Sequence, residues 1–157
     1  MIKETMTPEQ LEKFLHHEIP TSIALGVKVI STSENEVVLE APLDPNHNHM
    51  GTAFGGSLST LLILASYTWL YQALAGEGQV HVILKENQAS FIMPVRENIR
   101  SICQAPSEES FQEFLKIFRR KGLARIKLTS FIEIAEGEAA RMEGEFVAQK
   151  VSPSSNS

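Results

Sequence analysis

Between Asp44 and Glu77 the chain carries no Asp, Glu, Lys or Arg. A stretch that long without a formal charge has to be enclosed, either by lipid or by the rest of the protein. It begins with Asn48-His49-Met50-Gly51-Thr52-Ala53-Phe54-Gly55-Gly56 and runs on as a strongly apolar segment that ends near Leu74. A helix from Gly55 to Leu74 would measure roughly 30 Å, enough to cross a bilayer. Against a membrane span stand Ser57, Ser59, Thr60, Ser66, Thr68 and Gln72 within it, the lack of flanking Lys or Arg anchors, and neighbouring strand-like segments that need a core. The spacing therefore predicts a helix wrapped by its own protein.

The start of that helix is the first candidate for chemistry. A helix N-terminus presents unpaired backbone N–H groups and the positive end of the macrodipole, which together favour negative charge developing on a carbonyl oxygen. Gly55 and Gly56 let a substrate or a neighbouring strand approach that backbone with no Cβ in the way. A Gly-Gly pair by itself denotes only close packing. Its combination with Asn48, Gly51 and the enclosed helix is what points to a site.

Composition bounds the rest. At 157 residues the chain is one domain, read as residues 1–150 followed by a disordered tail over 151–157. Its 43% hydrophobic and 21% charged content is that of a globular protein, and the net charge of −5 offers no attraction to nucleic acid or anionic lipid. The single cysteine, Cys103, forms no intrachain disulfide, and the first six residues lack the apolar core of a signal peptide, so a cytoplasmic location is expected. His16, His17, His47, His49 and His81 have no metal-ligand spacing, and there is no phosphate-binding or dinucleotide-binding loop. Gly55-Gly56-Ser57-Leu58-Ser59 lacks the final glycine of a nucleophile elbow.

Along the chain, Thr7-Pro8-Glu9-Gln10 starts a helix with a capping box that Pro20 ends after Glu18. Strands are expected over Ala24 to Ile30 and Glu36 to Leu43, then the loop from Asp44 to His47, then the enclosed helix. Val80 to Val95 reads as a long strand whose alternation changes phase, which predicts a β-bulge between Lys85 and Gln88. Ile99 to Gln104 follows as a strand. A helix opened by a capping box at Ser110-Phe111-Gln112-Glu113 comes next, and then a hairpin of Ala124 to Ile134 and Ala140 to Lys150.

This order, an α+β antiparallel sheet around one long helix, together with Asn48-x-x-Gly51-x-x-Phe54-Gly55-Gly56, resembles the hotdog fold of acyl-CoA thioesterases. Many of those enzymes carry His where Phe54 stands. Ala41-Pro42-Leu43, Pro45-Asn46, Asn48, Gly51-Thr52 and Phe54-Gly55-Gly56-Ser57 resemble more narrowly the thioesterase domain fused behind an N-acetyltransferase domain in some bacterial proteins. The resemblance implies a homodimer or dimer of dimers acting on acyl-CoA or acyl-carrier thioesters. It implies no cofactor beyond the coenzyme A of the substrate itself, and a site between subunits. It places the Gly55 or Gly56 N–H on the thioester oxygen and the Asn48 amide on water or the carbonyl. Asn46, Thr52, Phe54 and Gly56 of the same stretch are the expected substrate-binding positions.

The group that activates water is the open question. Related enzymes often carry Asp or Glu on the central helix two turns past the glycines, where this chain has Ile63. Glu86 beside the expected bulge is one candidate, unless Asn87 takes the inward position and leaves Glu86 solvated. His49 is another, with an ordinary pKa of about 6.5 suited to base catalysis. Arg119, Arg120, Lys121, Arg125 and Lys127 form a basic cluster that could hold the carrier's phosphates, or could merely complement a helix C-terminus. The missing helix carboxylate also leaves room for a protein that binds acyl thioesters without cleaving them.

Overall fold

A computed structural model describes residues 5–152. Its elements are α1 (Pro8–Glu18), α2 (Thr21–Leu25), β1 (Lys28–Thr32), β2 (Glu36–Ala41), α3 (Leu43–Asn46), α4 (Gly55–Ala73), β3 (Val80–Phe91), β4 (Ile99–Gln104), α5 (Glu108–Lys121), β5 (Leu123–Ile134) and β6 (Gly137–Lys150). The strands form one antiparallel sheet in the order β1-β2-β4-β5-β6-β3. The sheet curls around α4, which touches β2, β3, β4, β5 and β6. This is the hotdog arrangement that the sequence resemblance implies. No helix among the described residues is long and apolar enough to cross a membrane.

The chemistry of α4 explains why it lies in the middle. Leu61, Leu62, Ala65 and Leu70 are fully buried, and Leu58, Leu64 and Trp69 nearly so, so apolar groups leave the helix in every direction. Two buried hydroxyls tie it to the sheet. Ser101 on β4 donates to the Leu61 carbonyl at 2.9 Å, and Ser130 on β5 donates to the Leu62 carbonyl at 2.8 Å. Both serines thus satisfy their own buried oxygen while fixing the helix along its axis.

Local signals hold at most element ends and shift at others. Thr7 and Gln10 exchange the two hydrogen bonds of a capping box at α1. The strand expected from Ala24 starts only at Lys28, because the chain after Pro20 makes the short helix α2, closed by Gly26 at φ 72° against Pro42. Strand β2 stops before Pro42, and the expected loop at Asp44 folds into the single turn α3. The second capping helix begins three residues early. Ser107 is its N-cap and accepts the Ser110 N–H, with Glu108 and Glu109 in the favourable first turn.

Strand β3 ends at Phe91 rather than Val95, because the N–H groups of Ile92 and Met93 both turn to the Ala139 carbonyl. Its bulge lies between Leu84 and Glu86, as the phase change predicts. Val151, expected in a loose tail, donates to the Gln79 carbonyl at 3.0 Å, and residues 153–157 of that tail fall outside the described part.

The enclosure of α4 has a measurable cost of disruption. Leu62→Ala is expected to lower stability by about 3 kcal/mol and Ser130→Ala by about 1 kcal/mol. Urea unfolding reads both, and an unchanged midpoint for Leu62→Ala would be incompatible with a packed helix at that position.

Candidate active site at the start of the central helix

The loop before α4 is held by its own side chains. The Asn48 N–H donates to the Thr52 carbonyl at 2.7 Å, and Gly51, at φ 74°, turns the chain between them. The Asn48 Oδ1 accepts the N–H groups of Met50 at 2.9 Å and Thr52 at 3.2 Å, while Nδ2 donates to the Thr52 hydroxyl at 2.8 Å. Asn48 and the mostly buried Thr52 therefore clasp each other, and the carboxamide is committed to the loop.

Asn46 is buried as well, and its Nδ2 donates to the carbonyls of Leu25 and Pro42, each at 2.8 Å. It fastens the loop to α2 and is not exposed to a ligand. Backbone bonds from Phe54 to Asn46 at 2.7 Å and from Ala53 to Val95 at 2.8 Å complete the frame.

This frame delivers α4 with an uncapped start. Phe54 is the N-cap residue and offers no side-chain acceptor, so the first-turn N–H groups of Gly55, Gly56 and Ser57 have no capping side chain. Of these three residues Gly55 lines a cleft of about 330 Å³, bounded by Ala53, Gly55 and Leu58 on one side and by residues 91–95 on the other. The two glycines serve different ends. A Cβ on Gly56 would collide with the ring of Phe54, whereas a Cβ on Gly55 would meet nothing within 4 Å. Packing accounts for Gly56 alone; at Gly55 the missing side chain keeps open space beside the donors.

The candidates for water activation and phosphate binding lie elsewhere. The β3–β6 register pairs Asn87 with Gly144, between Leu84 with Phe146 and Ala89 with Met142, so Asn87 is on the helix side. Glu86 pairs with Glu145 on the outer face, in a shallow depression with Lys127 and Glu143. The bulge thus aims Glu86 away from the cleft, which corrects the expectation that it activates water there. His49 is exposed in the loop and does not line the cleft.

Arg119 is engaged by Glu77, its Nη2 and Nε at 2.6 and 3.0 Å from one carboxylate oxygen. Glu77 lies four residues beyond Ala73, the last residue of α4, which is itself roughly 27 Å from Gly55 at the ordinary rise of a helix. Arg125 faces Glu145 at 3.8 Å on the outer sheet face, and Arg120 is exposed on α5. The expected basic cluster is therefore split between two surfaces, neither of them at the cleft of the same subunit.

A second cleft, of about 530 Å³, opens at the other end of α4 and was not foreseen from the sequence. Phe14 and Tyr71 stack at 4.0 Å and Tyr67 extends the row at 6.4 Å from Tyr71. Glu18, His81 and the first residues of β3 complete the lining. Burial, with Glu18 adding a smaller effect, raises both phenol pKa values, so the two tyrosines stay protonated at neutral pH. The helical spacing of Tyr67 and Tyr71 was the available signal, but it reads equally well as core. Cys103 is buried and pushed up to about 12, an inert thiol.

Comparison with known proteins agrees with this fold. The solved structure of a Chlorobaculum tepidum protein of unknown function is 31% identical, with a TM-score of 0.86 over 94% of this chain and 99% of that one. A Haemophilus influenzae thioesterase shares the fold at 17% identity, with a TM-score of 0.67 over 93% of this chain and 92% of its own. A Shewanella oneidensis protein described as a "putative thioesterase" is 21% identical, with a TM-score of 0.82 over 91% of this chain and 97% of its own. No curated protein matches the chain. Residues 8–150 match the model of the family described as "Putative thioesterase (yiiD_Cterm)", and the chain belongs to that thioesterase family.

Proposed function

We propose that the protein hydrolyses acyl-CoA or acyl-carrier thioesters in the cleft at the start of α4, as a cytoplasmic homodimer or dimer of dimers. The observation that carries this reading is an uncapped helix start opening on an apolar cleft at a glycine whose Cβ position is vacant. A thioester oxygen placed against the Gly55 and Gly56 N–H groups gains stabilisation as it becomes an oxyanion, and the loss of one such donor typically costs about 3 to 4 kcal/mol of barrier. Asn48 acts as a positioning residue by shaping the loop that aims the helix. Residues 91–95 and Phe54 supply apolar surface for the acyl group.

The sheet's edge supports dimerisation. Strand β3 is terminal in the sheet and 12 residues long, and Ile83 and Phe91 on it are 50% and 54% exposed. A long free edge of that kind is normally covered, and a second copy covers it by antiparallel pairing about a two-fold axis. Light scattering after size exclusion is expected to give twice or four times the chain mass. A stable monomer at micromolar concentration would remove the dimer from this reading.

Thiol release from a panel of short, long and aromatic acyl-CoA esters tests the activity itself. Gly55→Val, which fills the cleft beside the donors, is expected to lower turnover at least tenfold while shifting stability by no more than about 1 kcal/mol. Wild-type turnover in Gly55→Val would show that the chemistry occurs elsewhere. A second reading, acyl-thioester binding without cleavage, is favoured by one observation: among the described residues, no ionisable side chain lines the cleft. Saturable acyl-CoA binding with no turnover on any ester would establish it instead.

A further inference from the structure

Among the described residues, the helix-start cleft has backbone donors but no acid or base, while the second cleft has a carboxylate and phenols but no helix start. Given the site between subunits that the family resemblance implies, we propose that the second cleft of one subunit completes the helix-start cleft of the other, with Glu18 of the partner subunit as the general base that activates the attacking water. This inference rests on the thioesterase reading above and assigns the residue which that reading leaves open.

The geometry comes from β3. Tyr71 borders the strand at residues 80–83, and Leu58 shares the helix-start cleft with Phe91, so strand and helix lie side by side with their middles level. Full antiparallel pairing of two β3 edges sets Val80 opposite Phe91 of the partner subunit and turns one subunit's α4 end for end beside the other. Along α4 the midpoint is Leu64, with Gly55 nine residues before it and Tyr71 seven after. At the ordinary helical rise these are roughly 13 and 10 Å from the two-fold axis on opposite sides. The axis therefore carries Tyr71 of the partner subunit to within about 3 Å of the height of Gly55. Glu18 of the partner subunit, lining the same cleft as that Tyr71, arrives with it.

The groups facing Glu18 suit the task. His17 lies beside it on α1, with Nδ1 at 3.3 Å, and Tyr67, Tyr71 and His81 line the cleft from α4 and β3. The carboxylate is 52% exposed in the single chain, so it can take up a new partner without breaking a buried network. In the reaction it removes a proton from water while the water oxygen bonds to the thioester carbon. The carbonyl electron pair moves onto the oxygen facing the Gly55 and Gly56 N–H groups. Collapse of that intermediate breaks the carbon–sulfur bond, and the Glu18 carboxyl returns its proton to the departing thiolate. The products are a carboxylic acid and a thiol, with the Glu18 carboxylate restored.

Mixed dimers test this directly. Glu18→Gln is expected to lower kcat by a factor of 100 or more, with KM nearly unchanged and the melting temperature preserved. The acid limb of the kcat profile should be lost with it. Glu18→Asp, which keeps a carboxylate, should retain more activity than Glu18→Gln. Co-expression of Glu18→Gln with Gly55→Val on separate affinity tags, followed by tandem purification, yields dimers with one intact composite site. These should recover about half of the wild-type rate, although each parent keeps a tenth of that rate or less. Mixed dimers no more active than their parents, or Glu18→Gln at the wild-type rate, would overturn the inference while leaving thioester hydrolysis standing. A wild-type protein that cleaves no thioester would overturn both readings together.

Discussion

The structure depends on keeping an uncharged helix out of water. Apolar side chains project from α4 on every side, so no single packing surface could cover it, and a sheet that curls around it meets the requirement. Ser101 and Ser130 add direction to what would otherwise be a non-specific burial, since each reaches one particular carbonyl in the middle of the helix. With the helix fixed along its axis, its ends fall where the sheet leaves off. The clefts at those ends are consequences of the wrapping: a curled sheet with a terminal strand leaves the helix uncovered beside that strand.

The two faces of the sheet divide labour accordingly. On the inner face Ala140, Met142, Phe146 and Ala148 of β6 are buried against the helix, and Asn87 of β3 belongs to this side by register. On the outer face Arg125 and Lys85 approach Glu145 at 3.8 and 3.6 Å, while Arg100 lies 3.7 Å from Glu40. Exposed pairs of this sort contribute little stability, and they keep the outer face soluble. Charge that looks like a binding cluster in the linear chain is largely this surface balance, and Arg119 is spent on Glu77 in the same way.

Much of the fold is legible because its causes are local. The Thr7 capping box, the stop at Pro20 and the stretch from Gly55 to Ala73 need only neighbours in sequence to be recognised. The change of phase in β3 likewise announces a bulge, since alternation with period two cannot reverse without an extra residue. Where that extra residue sits within four positions cannot be read from alternation alone, and on it hangs whether Glu86 or Asn87 faces the helix. Pairing with β6 decides the matter. The start of α5 shows the same limit at smaller scale: the capping box expected at Ser110 gives way to Ser107, whose hydroxyl accepts the Ser110 N–H.

The sequence by itself determined that one charge-free helix would lie inside an antiparallel sheet, and it marked the glycine start of that helix as the candidate site, because composition, periodicity and capping are properties of short segments. Only the tertiary structure decided which groups accompany that start. It turned the Asn48 carboxamide inward on Thr52, moved Glu86 to the far face, parted Arg119 from Arg125, and gathered Phe14, Tyr67, Tyr71 and Glu18 into a second cleft. The physical reason is that hydrogen-bond partners and clefts are set by strand register and helix placement, which bring together residues whose separation along the chain carries no trace of their proximity.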